Sequence, residues 1–236
     1  VKSTPPAAVA LLSGGLDSAV AAAWTASRGR TVHAVSFDYG QRHRAELVAA
    51  ARVAAALRLA SHRVLAVDLA AIGGSALTRG AAVPKGRADA EIGRGVPVTY
   101  VPARNTVFLS LALALAETLD AEEIVIGANA VDYSGYPDCR GPYLRAFETM
   151  ANLATAAAVE GRSKFRVVAP LLEMSKAEIV KLGVELGAPL ALTRSCYDPV
   201  GPDALACGAC DSCVLRRRGF VESGVADPTP YAEAAR

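Results

Sequence analysis

The sequence predicts an α/β fold, a parallel sheet with helices on both faces, followed by a small cysteine-rich module. Three observations carry that prediction. Strand-like apolar runs alternate with helical runs, the pattern of a sheet buried on both sides. A glycine turn, Ser13-Gly14-Gly15-Leu16-Asp17-Ser18, joins the first strand to the first helix. Four of the five cysteines crowd towards the C-terminus. The expected division is residues 1–191 for the α/β domain and 192–236 for the cysteine module and tail.

The elements follow in order. Strands are expected at Ala8–Leu12, Val32–Phe37, Arg63–Val67, Glu123–Gly127 and Arg166–Pro170, each a short apolar run. Helices are expected at Asp17–Arg28, His43–Leu59, Asn105–Leu119, Leu144–Val159 and Lys176–Leu186, all supported by abundant alanine. The last opens on Ser175-Lys176-Ala177-Glu178, a capping-box spelling, and Gly187 with Pro189 ends it. Ile72 to Val98 is rich in Gly, Pro and charge. It reads as a mobile flap or insertion, with a solvated surface excursion as the alternative. The tail after Ser223 is expected to be loosely ordered.

Composition narrows the class. The chain has 236 residues, 52% of them hydrophobic and 20% charged, enough for one large domain and an appendage. A formal net charge of +2 gives no broad basic field of the kind nucleic-acid binders carry. Val1 to Pro6 lacks a charged segment followed by an apolar one, so no signal peptide is expected. No apolar run approaches ~18 residues, so no membrane span is expected. An odd number of cysteines points to metal or reactive thiols in a reducing, cytoplasmic setting.

The glycine turn reads as an anion site. Glycines let the backbone approach phosphate oxygens, and the helix N-terminus offers free N–H groups. Ser13 and Ser18 add hydroxyl donors. Asp17 repels phosphate, so its place is explained by holding Mg²⁺ or orienting the turn. The spelling is not Walker A, which needs Lys and then Ser or Thr after its last glycine. It resembles the S-G-G-x-D-S pyrophosphate loop of ATP pyrophosphatases, which cut ATP between the α- and β-phosphates.

Cys207, Cys210 and Cys213 stand three apart, and Cys196 lies eleven residues upstream. Gly201 and Pro202 can turn the chain so that Cys196 completes a tetrahedron. Four thiolates fit one structural Zn²⁺ per chain, bound at about 2.3 Å. An Fe–S cluster and a redox dithiol are the alternatives. Cys139 stands apart and reads as a small buried hydrophobe.

Further stretches strengthen a resemblance. They are Ser36-Phe37-Asp38-Tyr39-Gly40-Gln41-Arg42-His43, Tyr100 to Thr106, Gly127 to Arg140, Pro170-Leu171 with Ser175 to Glu178, and Ser195-Cys196-Tyr197 running into Cys207 to Phe220. With the glycine turn, they make the chain over about residues 8–220 similar to the 7-cyano-7-deazaguanine synthases of queuosine biosynthesis. The resemblance implies a Rossmann-like, adenine nucleotide alpha hydrolase-like sheet and a homodimer. It implies ATP-dependent conversion of 7-carboxy-7-deazaguanine and ammonia to the nitrile, through adenylated intermediates and an amide.

It also implies roles. Leu12, Ser13, Gly14, Gly15, Leu16, Asp17 and Ser18 would hold ATP and Mg²⁺, with Phe37, Asp38 and Tyr39 on the adenosine side. Asp17, Ser18, Arg104 and Lys176 would act in the chemistry. Arg42, His43, Asn105, Asp132, Tyr133, Ser134, Tyr136, Asp138, Cys139 and Arg140 would meet the substrate. Each has a blander reading: turn chemistry for Asp38 and Tyr39, solvated helix positions for Arg42, His43 and Lys176, a surface salt bridge for Arg104. The triple Arg216-Arg217-Arg218 reads as a solvated helix face, with RNA contact as the alternative. Departures from the family pattern fall at Ala103, Gly141 to Tyr143 and Arg194. A tRNA-modifying relative, a zinc-containing nucleic-acid-binding regulator and a paralogue acting on another carboxylate remain as competing classes.

Overall fold

A computed structural model describes residues 5–42, 44–78, 82–87, 92, 95–129 and 135–232. Five parallel strands form one sheet in the order β3-β2-β1-β4-β5. They are β1 (Ala7–Leu11), β2 (Thr31–Asp38), β3 (Ser61–Ala66), β4 (Glu123–Val125) and β5 (Arg166–Val168). All five fall on the apolar runs of the sequence. The chain builds outward from β1 to β3, then crosses back to place β4 on the other side of β1. In such sheets the crevice beyond the strand C-termini at this reversal is where ligands bind.

Side-chain alternation gives both faces a core. Ala8, Ala10 and Leu12 join Val32 and Ala34 in one buried cluster. Val9 joins Val35, Phe37 and Ile124 in the other. The first cluster is covered by α1 (Leu16–Ser27), α2 (Ala45–Ala56) and α6 (Lys176–Glu185). The second is covered by α3 (Arg104–Thr118) and α4 (Gly141–Ala154), through Leu109, Leu113, Leu144 and Phe147. Each fully buried Leu or Phe contributes about 1.5–3 kcal/mol by leaving water. Alanines at positions 8 and 10 are fully buried, and their small size lets α1 lie close to the sheet.

Three expectations need correction. The helix expected over Leu144–Val159 begins earlier and breaks into α4 and the short α5 (Ala156–Val159). Thr155 between them is extended, and its hydroxyl donates to the Ala151 carbonyl. The break lets the Ala157 N–H reach Glu117 of α3 at 2.9 Å. The Arg216–Arg218 stretch lies on α7 (Asp211–Ser223), where Arg217 is exposed and Arg218 half-buried as expected, but Arg216 is 3% exposed and bonded to Asp227. The tail is also anchored as far as Ala232. Ala206 and the segment Pro230 to Ala232 exchange backbone bonds, and the Tyr231 hydroxyl donates to Asp227 at 2.6 Å.

The described parts of the Ile72–Val98 insertion are tied down. Leu77 and Val83 are buried in the core. Lys85 pairs with Asp198 and Arg87 with Asp211, and the Gly86 N–H donates to the Ala209 carbonyl. The cysteine module therefore packs against both the insertion and the sheet, with Phe220 of α7 in the same cluster as Val20 and Ile179. No described helix is long and apolar enough to cross a membrane.

Candidate active site

The glycine turn leaves β1 at the sheet reversal and enters α1. Gly14 has φ +85°, and a Cβ there would sit 2.2 Å from the Glu46 carbonyl, so only glycine fits. Gly127, just past β4, packs on the first turn of α1, where a Cβ would meet Ser18 N at 2.8 Å. The hydroxyls shape the turn from within. Ser13 Oγ and Ser18 Oγ lie 3.0 Å apart, and Ser18 Oγ donates to the Gly15 carbonyl. The Gly15 N–H donates to Ser13 Oγ at 3.3 Å. Gly15 supplies no side-chain cap to α1, and the first amide of the helix, Leu16 N–H, is taken instead by the Ser195 hydroxyl at 3.3 Å.

Lys176 is the first residue of α6, placed there by Ser175 and Glu178 in a complete capping box. Its Nζ donates to both Asp17 oxygens, at 2.9 and 2.7 Å. The lysine side chain is 11% exposed and the aspartate 28%. This pair sits at the turn, across a cavity of about 280 Å³. Leu12, Ser13, Gly15, Leu16, Asp17 and Ser18 line one wall. Phe37, Tyr39, Arg42 and Lys176 line the next, and Arg104, Asn105, Tyr136 and Cys139 close it.

The far wall is built on the start of α3. Ala103 precedes it in the left-handed region, at φ +52°, where glycine is the easy residue. The Tyr100 hydroxyl accepts the Ala103 N–H at 3.0 Å. Arg104 lies 6.0 Å over the rings of both Tyr39 and Phe108, and Phe108 stacks on Phe37 at 4.0 Å. Burial alone would lower the Arg104 pKa, but the surrounding Tyr39, Tyr136, Cys139 and Asp138 raise it further, so it stays charged. Burial raises the Tyr39 pKa against the pull of Arg104, so the phenol stays neutral.

The substrate loop divides. Asp138 is buried and does not border the cavity; its Oδ2 accepts the Asn105 N–H at 2.9 Å and caps the start of α3. Asn105 Nδ2 then donates to the Asp138 carbonyl and to Cys139 Sγ. Burial, reinforced by Asp138, pushes the Cys139 thiol up to about 11, so it is not a ready nucleophile. Asp38 is held by Arg44 at 2.8 Å, off the cavity wall. Arg140 is exposed at the start of α4. His43, Asp132, Tyr133 and Ser134 lie outside the described residues.

The structure adds residues that the sequence reading passed over. Gln41, Glu46, Arg194, Ser195 and Tyr197 all line the cavity. Gln41, Ser195 and Tyr197 lie inside quoted motifs, which was the available signal. Glu46 carried none beyond its place in the first turn of α2.

Among the described residues the Glu46 carboxylate makes no hydrogen bond or close ion pair, though Arg104 acts on it through space. Burial pushes it up to about 7 from 4.5, against Arg104. The folded protein therefore holds an extra proton between those values. On this account stability is fullest at the acid end and falls as pH rises through about 7. Glu46→Gln should raise Tm over wild type at about pH 8 and leave it little changed near pH 5. An equal shift at both pH values in thermal melts would contradict this.

The four C-terminal cysteines come together. All four Sγ atoms lie within 4.8 Å of one another, and none is in a disulfide. Backbone N–H groups of Asp198 and Cys207 donate to Cys196 Sγ, and that of Cys210 to Cys207 Sγ. Amide donors to sulfur favour thiolates. Hydrogen bonds from Cys196 and Cys213 pull the Cys210 thiol below its ordinary value. A compact, amide-supported set of four thiols is suited to one metal ion.

A family model described as "Queuosine biosynthesis protein QueC" matches residues 7–224. The chain belongs to the QueC family. It is 60% identical over 227 residues to the 7-cyano-7-deazaguanine synthase of Anaeromyxobacter dehalogenans (strain 2CP-C), covering 96% of each chain. It is 58% identical over 224 residues to that of Desulfatibacillum aliphaticivorans, covering 95% of this chain and 96% of the relative. With the Myxococcus xanthus (strain DK1622) protein of the same name it shares 55% over 228 residues, 97% and 98% of the two chains. The family match spans both the turn and the four cysteines.

Proposed function

We propose that this protein is an ATP-dependent 7-cyano-7-deazaguanine synthase. The observation that carries the reading is the Lys176–Asp17 pair at the mouth of the serine–glycine turn, bordering the cavity of about 280 Å³. It is supported by membership of the QueC family.

The chemistry explains the parts. A carboxylate is a poor electrophile with a poor leaving oxygen. Transfer of AMP from ATP to that oxygen makes it a leaving group and releases pyrophosphate. Ammonia then displaces AMP and gives an amide. A second activation, now of the amide oxygen, allows loss of AMP and of the nitrogen protons to leave the nitrile.

In this reading the amides of the turn and the Ser13 and Ser18 hydroxyls bind the polyphosphate. Asp17, with the serine hydroxyls beside it, is suited to Mg²⁺, which would neutralise phosphate charge. Lys176 then leaves the carboxylate for the pyrophosphate oxygens, and the exchange keeps charge paired throughout. Arg104, permanently charged over Tyr39, faces the substrate carboxylate or the α-phosphate. Tyr39 and Phe37 form the adenosine side, while Asn105, Tyr136 and Cys139 shape the deazaguanine side. The metal in the cysteine site is zinc with a structural role, since four protein thiolates leave no open position. The substrates are small molecules, without a nucleic-acid partner, in a cytoplasmic homodimer.

Mass spectrometry of the full chain with ATP, Mg²⁺, ammonium and 7-carboxy-7-deazaguanine tests the reading. The expected products are the amide, then the nitrile, with AMP and pyrophosphate. Folded, metal-loaded protein that yields neither amide nor nitrile would sink it and favour another carboxylate substrate.

A further inference from the structure

Ser195 is remote from the glycine turn in sequence and part of it in space. Its Oγ accepts the Leu16 N–H at 3.3 Å and the Arg216 Nη1–H at 3.5 Å. It also lies 3.7 Å from where a Cβ on Gly15 would stand, and the residue borders the cavity. Both partners are N–H donors, so both occupy lone pairs of the hydroxyl oxygen. The O–H proton itself has no acceptor among the described residues. Both bonds are long for N–H···O contacts, so they orient the hydroxyl more than they stabilise the fold.

The surroundings hold this hydroxyl in place. Arg216 behind it is 3% exposed and fixed by Thr193 Oγ1 at 2.8 Å, Asp227 at 3.1 Å and the Leu190 carbonyl at 3.3 Å. The preceding residue is fixed too: the Arg194 N–H donates to the Gly14 carbonyl at 2.8 Å. The following residue is Cys196, one of the four clustered thiols. A serine held on three sides, backed by a buried guanidinium and with an unspent O–H at the glycine turn, is a donor prepared for an anion.

We propose that the Ser195 hydroxyl is a third hydroxyl ligand for the polyphosphate of ATP, beside Ser13 and Ser18. It is delivered to the turn by the segment that the cysteine site anchors. This rests on reading the turn as the ATP phosphate site. It also gives the cysteine module a part in nucleotide binding, because displacement of Cys196 would withdraw Ser195 from the turn.

Calorimetric titration of the full-length Ser195→Ala and Ser195→Thr variants with ATP, inorganic pyrophosphate and adenosine tests this. Ser195→Ala should lose about tenfold or more in affinity for ATP and pyrophosphate, the usual cost of one hydrogen bond to a charged group. Adenosine affinity and bound metal should stay at wild-type levels, and Ser195→Thr should restore pyrophosphate binding. Unchanged pyrophosphate affinity in Ser195→Ala would overturn the proposal. So would an equal loss for adenosine, loss of metal, or a threonine variant that keeps its metal and Tm without restoring binding, since each marks a brace and not a ligand. Wild-type protein that binds neither ATP nor pyrophosphate would instead remove the phosphate-site reading, and this proposal with it.

Discussion

Replacing Lys176 with methionine should lower ATP–pyrophosphate exchange by roughly 10²–10³-fold, the range for removing one preorganised charge stabiliser. The argument starts from the pair itself. Lys176 Nζ touches both Asp17 oxygens, and its side chain is only 11% exposed. Its stem lies against Gly219 of α7, where an added Cβ would stand 2.4 Å from Lys176 Cγ. Methionine keeps that stem and removes only the charge, so folding should survive. What remains is a carboxylate at the phosphate site without its lysine partner, and a departing pyrophosphate without the ammonium that would take up its charge. Asp17→Asn should fall as far for the complementary reason. The double variant should be little worse than either single one, because the two groups act as a unit. An exchange rate within about threefold of wild type for Lys176→Met, in a range where enzyme effects reach 10², would remove the lysine from the mechanism. Losses that simply multiply in the double variant would show two independent roles.

The elements that local pattern decides were legible in the sequence. Each strand was an apolar run between turn residues, and the Ser175–Glu178 capping box formed as spelled. The turn was legible because its glycines and hydroxyls answer one local need. What the sequence hid is set by long-range packing. Thr155 breaks a helix because Glu117, on another helix, takes the freed Ala157 N–H. Arg216 reads as one of three surface arginines, yet a fold in which Asp227 and Thr193 converge on it buries it. Asp138 looks like a substrate acceptor in the linear motif, and only the proximity of Asn105 shows its oxygen engaged. Glu46 is an ordinary helix residue until α2 packs on Gly14 and brings it to the cavity. Charge and spacing in the linear sequence identify candidates; which of them face the cavity depends on contacts between distant segments.

Loss of a metal ion held by the four cysteines should unfold the C-terminal module and silence the nucleotide site at a distance. Cys196, Cys210 and Cys213 are buried within the same apolar cluster as Val9 and Ile124, so their ligand set is part of the core. Without a cation, buried thiolates must protonate and lose their mutual order. The insertion should loosen with them, because Lys85, Gly86 and Arg87 are tied to Asp198, Ala209 and Asp211. The turn should loosen as well, since Arg194 and Ser195 hold Gly14 and Leu16. Cys210→Ser, or exhaustive chelation, should lower Tm by about 10 °C or more, as a loss of ~3–5 kcal/mol does in a chain of this size. Hydrogen exchange should then accelerate at three places together: the cysteine module, residues 82–87 and the Leu16 amide. Protein stripped of metal that keeps its Tm would show the four cysteines to be ordinary core residues. A fall in Tm with the Leu16 amide still protected would confine the metal to its own module and break the link to the phosphate site.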